Sequence, residues 1–149
     1  MKPVAQMTPQ ELAEASARAL WNEDSASQRL GMVLDHLAPG EATLSMIVTE
    51  AMTNGHGTCH GGYIFTLADS AFAFACNGYN QRTVGQHASI TYLAPGHLGD
   101  RLTATARELS RQGRSGVYDV RITNQEGAQI AEFRGLSRTV KGTHLPVGD

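Results

Sequence analysis

The sequence predicts a single α+β domain in which an antiparallel sheet of six strands wraps around one long central helix. The chain has 149 residues, which is enough for one sizeable hydrophobic core. Six runs of residues have the composition and spacing of strands, whereas only one apolar segment, 61–77, has the length of a buried helix. The whole chain, 1–149, is therefore expected to be one domain, with a helical extension over 1–25 and a flexible tail over 141–149.

The first element is an amphipathic helix predicted over 9–21. Thr8 can accept a hydrogen bond at the helix start, Pro9 suits the first helical position, and Glu11 can return the bond. Apolar residues follow at helical spacing: Leu12, Ala15, Ala19 and Leu20. This helix is expected to cover one edge of the sheet.

From Gly31 onwards the apolar residues recur with a period of two, which is typical of strands. Residues 31–40 and 41–49 are predicted to form two strands joined at Pro39-Gly40. Glycines and a Pro-Gly pair separate the later strands. The four later strands are predicted over 84–93, 101–110, 116–124 and 128–139.

The segment 61–77 is predicted to be a helix that is buried on all sides. It begins with two glycines, is rich in alanine and ends at Asn77-Gly78, a common helix stop. Apolar residues occur nearly all round it, as expected of a helix inside a soluble domain. Its one carboxylate is Asp69.

Composition gives no reason to expect a nucleic-acid or membrane partner, because the formal net charge is only −2 and no segment is long and apolar enough to span a bilayer. Residues 1–20 lack the apolar core of a signal peptide. The two cysteines, Cys59 and Cys76, do not form a disulfide framework, and Cys76 is expected to be a small buried hydrophobe. A cytoplasmic location is predicted.

The stretch 56–60 contains His56, Cys59 and His60, which are possible metal ligands. A structural zinc site needs about four ligands, and no second cluster follows. A Cys59–His60 nucleophile pair is also weak, because neighbours in sequence need not meet and no orienting group is evident. We therefore expect no metal and no cofactor.

Asp69 is the strongest candidate for chemistry. A carboxylate on a buried helix is costly unless it is paired or used, and burial would raise its pKa towards that of a general base. The residues alone leave two interpretations open: a catalytic carboxylate, or a structural one that hydrogen-bonds across an interface.

Gly61 is the second candidate, because the first backbone N–H groups of a helix lack intrahelical partners and can stabilise an oxyanion. Gly61 and Asp69 are eight positions apart, or about 12 Å along one helix. They cannot both contact one carbonyl carbon from the same helix. We therefore predict a homodimer with shared sites, in which Asp69 of one subunit faces Gly61 of the other.

The pattern Asn54-Gly55, His60-Gly61-Gly62 and Asp69, followed by "ITYLAPG" and "RQGRSGVYDVRI", resembles the hotdog-fold acyl-CoA thioesterases of the PaaI (phenylacetate-degradation) type. The resemblance runs from about residue 31 to 140. It implies the hotdog fold, a side-by-side dimer and a homotetramer. It also implies that the function is hydrolysis of aromatic acyl-CoA, above all phenylacetyl-CoA or its hydroxylated form, in aerobic phenylacetate degradation.

The resemblance implies a role for each matching residue. Asp69 would be the catalytic carboxylate, as base or nucleophile, and Gly61 would supply the oxyanion N–H. Asn54 would orient the thioester or water, and His60 would support the loop, although a loop histidine bonded to the backbone fits equally well. Gly62 belongs to the same substrate-binding stretch.

The CoA phosphates would be contacted by Arg111, Arg114 and Arg138, although such arginines are often only solvated surface. Tyr92 would line the same tunnel or belong to the core. One departure from the family is Gly85, where some relatives carry a serine. Gln86, His87 or Ser89 are the candidates to replace its hydrogen bond.

Two other functions remain possible from the sequence. A hotdog hydratase or dehydratase would need a histidine paired with a carboxylate, for which His60 and Asp69 are the candidates, although the His-Gly-Gly and Asp pattern resembles the hydrolases better. A non-catalytic acyl-CoA binding module would use Asp69 as a structural residue.

Overall fold

The computed structural model describes residues 1–148 and consists of one six-stranded antiparallel sheet with helices on one side. The order across the sheet is β1-β2-β4-β5-β6-β3, so β1 and β3 are the edge strands. The strands are β1 (Val33–Ala38), β2 (Glu41–Ile47), β3 (Thr83–Tyr92), β4 (Arg101–Gln112), β5 (Ser115–Thr123) and β6 (Gln129–Thr139). The six predicted strands and the α+β class are confirmed.

Helix α1 (Pro9–Glu23) begins as the sequence predicts. Thr8 accepts from the Glu11 backbone N–H, and the Glu11 side chain accepts from the Thr8 backbone N–H, so the capping box is complete. The helix packs against edge strand β1. A second short helix, α2 (Ser25–Arg29), follows it and was not predicted; Asp24 caps it by accepting from the Ser27 backbone N–H.

The central helix α3 (Gly61–Cys76) lies across the sheet and contacts β2, β3, β4, β5 and β6. Its buried side is continuous with apolar residues of the sheet; Phe72 packs tilted against Tyr118 and Phe133. The Phe72 ring lies so close to Gly135 that a Cβ there would approach it to 2.8 Å, which explains a glycine in the middle of β6. The predicted wrapping of a sheet around one helix is confirmed.

The prediction that α3 is buried on all sides is wrong for the protomer. Gly62 and Asp69 are exposed, and Thr66 and Ala73 are only half-buried. These four positions follow the i, i+4, i+7, i+11 spacing of one helix face, which we call the open stripe of α3. The stripe is open because one sheet covers only one side of a helix.

The last residues were predicted to form a flexible tail over 141–149, of which residue 149 lies outside the described residues. Within 141–148, Leu145 is buried, and the backbone N–H groups of His144 and Leu145 donate to Asn80 Oδ1 at 3.0 and 2.8 Å. His144 Nε2 lies 2.7 Å from Asn77 Oδ1 at the end of α3. The tail therefore packs against the domain at 144–145. None of the helices within residues 1–148 is both long and apolar enough to cross a bilayer.

Candidate active site

The loop before α3 holds Asn54, whose side chain is engaged within the loop itself. Its Oδ1 accepts from the backbone N–H groups of His56 at 2.9 Å and Thr58 at 3.3 Å. Its Nδ2 donates to Thr58 Oγ1 at 2.9 Å. Asn54 thus fixes the shape of the loop, and its second Nδ2 hydrogen has no protein acceptor within residues 1–148.

His60 caps the start of α3. Its Nδ1 accepts from the Gly62 backbone N–H at 2.9 Å, and its own backbone N–H donates to the Met52 carbonyl at 2.7 Å. The sequence interpretation of His60 as a supporting loop residue agrees with this geometry. The cap also uses Nδ1, so that nitrogen is not available as a base in the protomer.

The Gly61 backbone N–H, at the start of α3, has no protein partner within residues 1–148. Gly62, by contrast, donates to His60, and Tyr63 donates to the His60 carbonyl. Because the Gly61 N–H lies at the positive end of the α3 dipole, it is a donor suited to an oxygen atom that carries negative charge. The structure thus leaves free the donor that the sequence indicated.

A cavity of about 400 Å³ opens beside this donor and has a largely apolar lining. Its walls come from three segments, the pre-helix loop, the first turn of α3 and the end of β3. They comprise Thr58, Cys59, Gly61, Ile64, Tyr92, Leu93, Ala94 and Pro95. Tyr92, predicted to line a tunnel or belong to the core, is half-exposed at this rim.

Tyr92 also makes a contact that sequence reasoning missed. Its hydroxyl donates to the Gly61 carbonyl at 2.8 Å. Thirty-one residues separate the two, and only the register of β3 against α3 brings them together. No local sequence signal predicts such a bond.

Asp69 lies on the open stripe of α3, two helical turns beyond Gly61. It is exposed in the protomer, and no protein donor within residues 1–148 hydrogen-bonds its carboxylate. Desolvation raises the pKa of Asp69 above its usual 3.8, and the negative charge of Asp24 raises the pKa further. The residue is exposed as a whole, so the raised pKa reflects partial desolvation of the carboxylate rather than full burial.

The protomer does not bring Asp69 and Gly61 together. Both belong to the same uninterrupted helix, so their separation along the axis is about 12 Å, at about 1.5 Å per residue. Gly61 and Asp69 of one protomer therefore cannot both contact a single carbonyl carbon, as the sequence analysis predicts.

The position of Gly85 on β3 is close to Asp69. A Cβ at Gly85 would lie 4.0 Å from Asp69 Oδ1 and 3.1 Å from the Phe72 ring. Ser89, one candidate to replace a serine at position 85, lies instead on the outer face of the sheet beside the bidentate Arg134–Asp119 pair. It therefore cannot reach Asp69 within the protomer, and His87, two residues before it on the strand, faces the same outer side, which leaves Gln86 in the bulge that follows Gly85.

The three arginines predicted for CoA lie at the turn between β4 and β5 and at the end of β6. Arg111 stacks on Tyr79, with its guanidinium carbon 3.5 Å from the ring centroid, and its Nε is 3.7 Å from Glu108. Arg114 lines an open cavity of about 420 Å³ together with Lys141. Arg138 is exposed on β6 opposite Val84.

The sequence offered His56, Cys59 and His60 as possible metal ligands, and Cys59 with His60 as a possible nucleophile pair. Within residues 1–148, no three His, Cys, Asp or Glu side chains are grouped so that they could hold a metal ion. Cys59 and Cys76 are both buried, and burial raises the pKa of the Cys59 thiol and raises that of Cys76 to about 12. Neither thiol is activated as a nucleophile.

An α+β domain with a sheet wrapped around one helix, and a free amide and an unpartnered carboxylate on that helix, has the features of a hotdog thioesterase. The model of the thioesterase superfamily matches residues 56–131. The acyl-coenzyme A thioesterase PaaI of Escherichia coli is 42% identical over 128 residues, which are 86% of this chain and 91% of that protein.

Two solved structures extend the comparison. The E. coli PaaI protein from the phenylacetic acid degradation operon has a TM-score of 0.90 at 40% identity, covering 91% of this chain and 99% of that one. The crystal structure of a hypothetical thioesterase protein of Streptococcus pneumoniae with coenzyme A has a TM-score of 0.72 at 28% identity, covering 75% of this chain and 90% of that one. This chain belongs to the thioesterase superfamily, and it is a hotdog-fold thioester hydrolase.

Proposed function

We propose that this enzyme hydrolyses aromatic acyl-CoA thioesters, above all phenylacetyl-CoA or hydroxyphenylacetyl-CoA in aerobic phenylacetate degradation. The observation that carries the proposal is the unpartnered Gly61 N–H beside an apolar cavity of about 400 Å³. The names of the E. coli relatives, an acyl-CoA thioesterase and a protein of a phenylacetic acid degradation operon, support the substrate class.

In the proposed reaction, the thioester carbonyl oxygen accepts from the Gly61 N–H and becomes negative as the carbon is attacked. Asp69 either takes a proton from the attacking water or attacks directly, and in the second case water then releases the acyl group from it. The C–S bond breaks and a C–O bond forms, so the products are the free acid and CoA. The raised pKa of Asp69 favours its use as a base.

The proposed active unit is a homodimer with shared sites. The open stripe of α3 and the unpaired edge of β3 lie on the same side of the protomer, since Gly85 of β3 approaches Asp69. A two-fold axis there would set two α3 helices antiparallel, so that Asp69 of one subunit faces Gly61 of its partner. Assembly of two dimers into a homotetramer, and a cytoplasmic location, stay predictions from the sequence.

The remaining predicted residues have supporting roles in this proposal. Asn54 has one free Nδ2 hydrogen to orient the thioester or water, Tyr92 lines the cavity, and Gly62 lies beside Gly61 on the open stripe of α3. Arg111, Arg114 and Arg138 would contact the phosphates of CoA, with Arg111 held in place by Tyr79. A hydratase is less well supported, because no hydrogen bond pairs His60 with Asp69 and His60 Nδ1 is already used by Gly62.

The test is release of free thiol from a panel of aliphatic, benzoyl, phenylacetyl and hydroxyphenylacetyl thioesters of CoA, with wild type and Asp69→Asn. We expect the highest kcat/KM for the phenylacetyl compounds. Loss of a general base predicts that kcat for Asp69→Asn falls by about 10²- to 10⁴-fold. Asp119→Asn is the control, because Asp119 is bonded to Arg134 on the outer face of the sheet.

Three results would reject the proposal. Equal rates for wild type and Asp69→Asn would remove Asp69 from catalysis. Hydration of crotonyl-CoA without thiol release would indicate a hydratase. Tight CoA binding without turnover of any thioester would indicate a binding module.

A further inference from the structure

We infer that Tyr92 is a positioning residue, which holds the first peptide of α3 so that the Gly61 N–H points at the thioester oxygen. This inference rests on the proposed function, in which that N–H stabilises the oxyanion. It differs from the tunnel-lining role that the sequence predicts for Tyr92, because the contact that matters is to the protein and not to substrate.

The peptide between Gly61 and Gly62 is held at both ends. Its N–H, which belongs to Gly62, donates to His60 Nδ1 at 2.9 Å. Its carbonyl, which belongs to Gly61, accepts from the Tyr92 hydroxyl at 2.8 Å. A peptide unit is planar, so two such bonds fix its orientation. The Gly61 N–H belongs to the preceding peptide, whose His60 carbonyl accepts from the Tyr63 N–H at 3.0 Å, so with both peptides held only the two Gly61 backbone torsions could redirect it.

Shape reinforces the bond. A Cβ on Gly61 would lie 3.0 Å from both Cζ and Oη of Tyr92, which is too close for an ordinary contact. The tyrosine ring therefore occupies the space that a side chain at position 61 would need. The missing side chain of Gly61 and the ring of Tyr92 fit each other.

The rest of the pre-helix loop is fixed by separate bonds. The Cys59 N–H donates to the Gly96 carbonyl and the His60 N–H donates to the Met52 carbonyl, both at 2.7 Å. These bonds position residues up to 60, whereas Tyr92 acts on the next peptide. Since Tyr92 is the last residue of β3, its hydroxyl joins the edge strand to the start of the catalytic helix.

An oxyanion donor is effective because it is already oriented before the reaction. Removal of the Tyr92 hydroxyl would let the first turn of α3 move, while the loop and the cavity wall would keep their places. For Tyr92→Phe we expect kcat to fall about tenfold, since a misplacement of about 1 Å can cost about 10²-fold and the loss of one hydroxyl allows a smaller shift. We expect KM to change by less than about twofold, because substrate binding does not use the hydroxyl.

The experiment measures kcat and KM for phenylacetyl-CoA with wild type, Tyr92→Phe and Tyr118→Phe. The control also loses a tyrosine hydroxyl, in this case one that donates to Glu108 at 2.8 Å in the core, and its kcat should match wild type. A raised KM with unchanged kcat for Tyr92→Phe would show a substrate contact instead of positioning. Kinetics equal to wild type would also overturn the inference.

A second measurement does not depend on activity. Amide hydrogen exchange of Gly62, whose N–H is bonded to His60 Nδ1, followed by NMR, should become about tenfold faster in Tyr92→Phe and stay unchanged in Tyr118→Phe. If wild type released no thiol from any thioester, the proposed function would fail, but this exchange would still show whether Tyr92 holds the peptide. Unchanged exchange in Tyr92→Phe would overturn the inference.

Discussion

The two edge strands of the sheet differ in how far the rest of the protomer covers them. Helix α1 packs against β1, and Gln10 of that helix donates through Nε2 to the Leu37 carbonyl at 2.8 Å. Strand β3 pairs with β6 on one side, and within residues 1–148 no element pairs with its other side. An unpaired strand edge presents free N–H and C=O groups that can pair with another chain, so proteins either cover such an edge or use it for association.

Both proposed catalytic groups lie beside the uncovered edge. Tyr92 of β3 contacts Gly61, and Gly85 of β3 approaches Asp69. The β1 edge, on the opposite side of the sheet, is covered by the capped helix α1. The protomer thus covers one edge of the sheet and leaves uncovered the edge beside the proposed catalytic groups, which is where the second copy of the proposed dimer would pack.

Replacement of an exposed valine on each edge strand is the strongest test of the difference between the two edges. Val84 on β3 is 50% exposed and Val33 on β1 is 48% exposed. Burial of an unpaired lysine in an interface is costly, so Val84→Lys should weaken dimer association by about 100-fold or more. Thiol release should fall with it when the enzyme is diluted.

Val33→Lys is the matched control, because the same change on β1 should leave both association and activity as in wild type. Sedimentation velocity over a range of concentrations measures association, and thiol release measures activity on the same samples. A fully active Val84→Lys monomer would contradict the shared site.

A smaller effect, on thermal stability, is expected from two carboxylates: Asp69, beside the β3 edge, and Glu11, on the helix that covers the β1 edge. The pKa of Asp69 is raised, so its charged form costs stability; the cost is absent below pH 3.8 and appears as the pH rises through the raised pKa. The pKa of Glu11, at the start of α1, is lowered by Lys2 and Thr8, so its contribution is present above pH 4.5 and is lost as the pH falls through the lowered pKa.

At pH 7, Asp69→Asn should therefore raise Tm slightly and Glu11→Gln should lower it slightly, and both differences should shrink on acidification. Thermal unfolding of the three proteins between pH 3 and pH 8 measures this. A lower Tm for Asp69→Asn would mean that Asp69 is a structural carboxylate. The kcat/KM of the wild type should also fall on acidification, because Asp69 becomes protonated, and this fall should begin at a pH above 3.8.

Most of the fold could be predicted from local signals. The Thr8 capping box, the change of period at Gly31 and the glycine pair before the apolar segment each correspond to an observed element. Helix α2 was missed because its five residues carry no amphipathic pattern long enough to detect.

The site was predictable only where residues are close in sequence. The apolar pattern of α3 predicted a fully buried helix, because composition does not show how much of a helix one sheet can cover. Asp69 therefore appeared to be buried, whereas it lies on the open stripe. The bond from Tyr92 to Gly61 and the approach of Gly85 to Asp69 depend on strand register, which the pattern of one strand does not determine.

A clean deletion of the Gly61 donor is possible with proline. Proline lacks an N–H and is tolerated at the first helical position, and His60, with φ −60° and ψ 134°, has the backbone conformation that proline accepts before it. Gly61→Ala adds a Cβ in the same place but keeps the N–H. The added Cβ displaces Tyr92 in both variants, so the difference in kcat between Gly61→Pro and Gly61→Ala measures the contribution of the Gly61 N–H.

Complementation between two inactive variants tests the shared site most directly. Asp69→Asn and Gly61→Pro are unfolded together in equal amounts, refolded and assayed for thiol release from phenylacetyl-CoA. Half of the dimers should be mixed and each should contain one intact site, so the mixture should recover about a quarter of the wild-type rate. A mixture no more active than the sum of its two parents would contradict a site built from Asp69 of one subunit and Gly61 of the other.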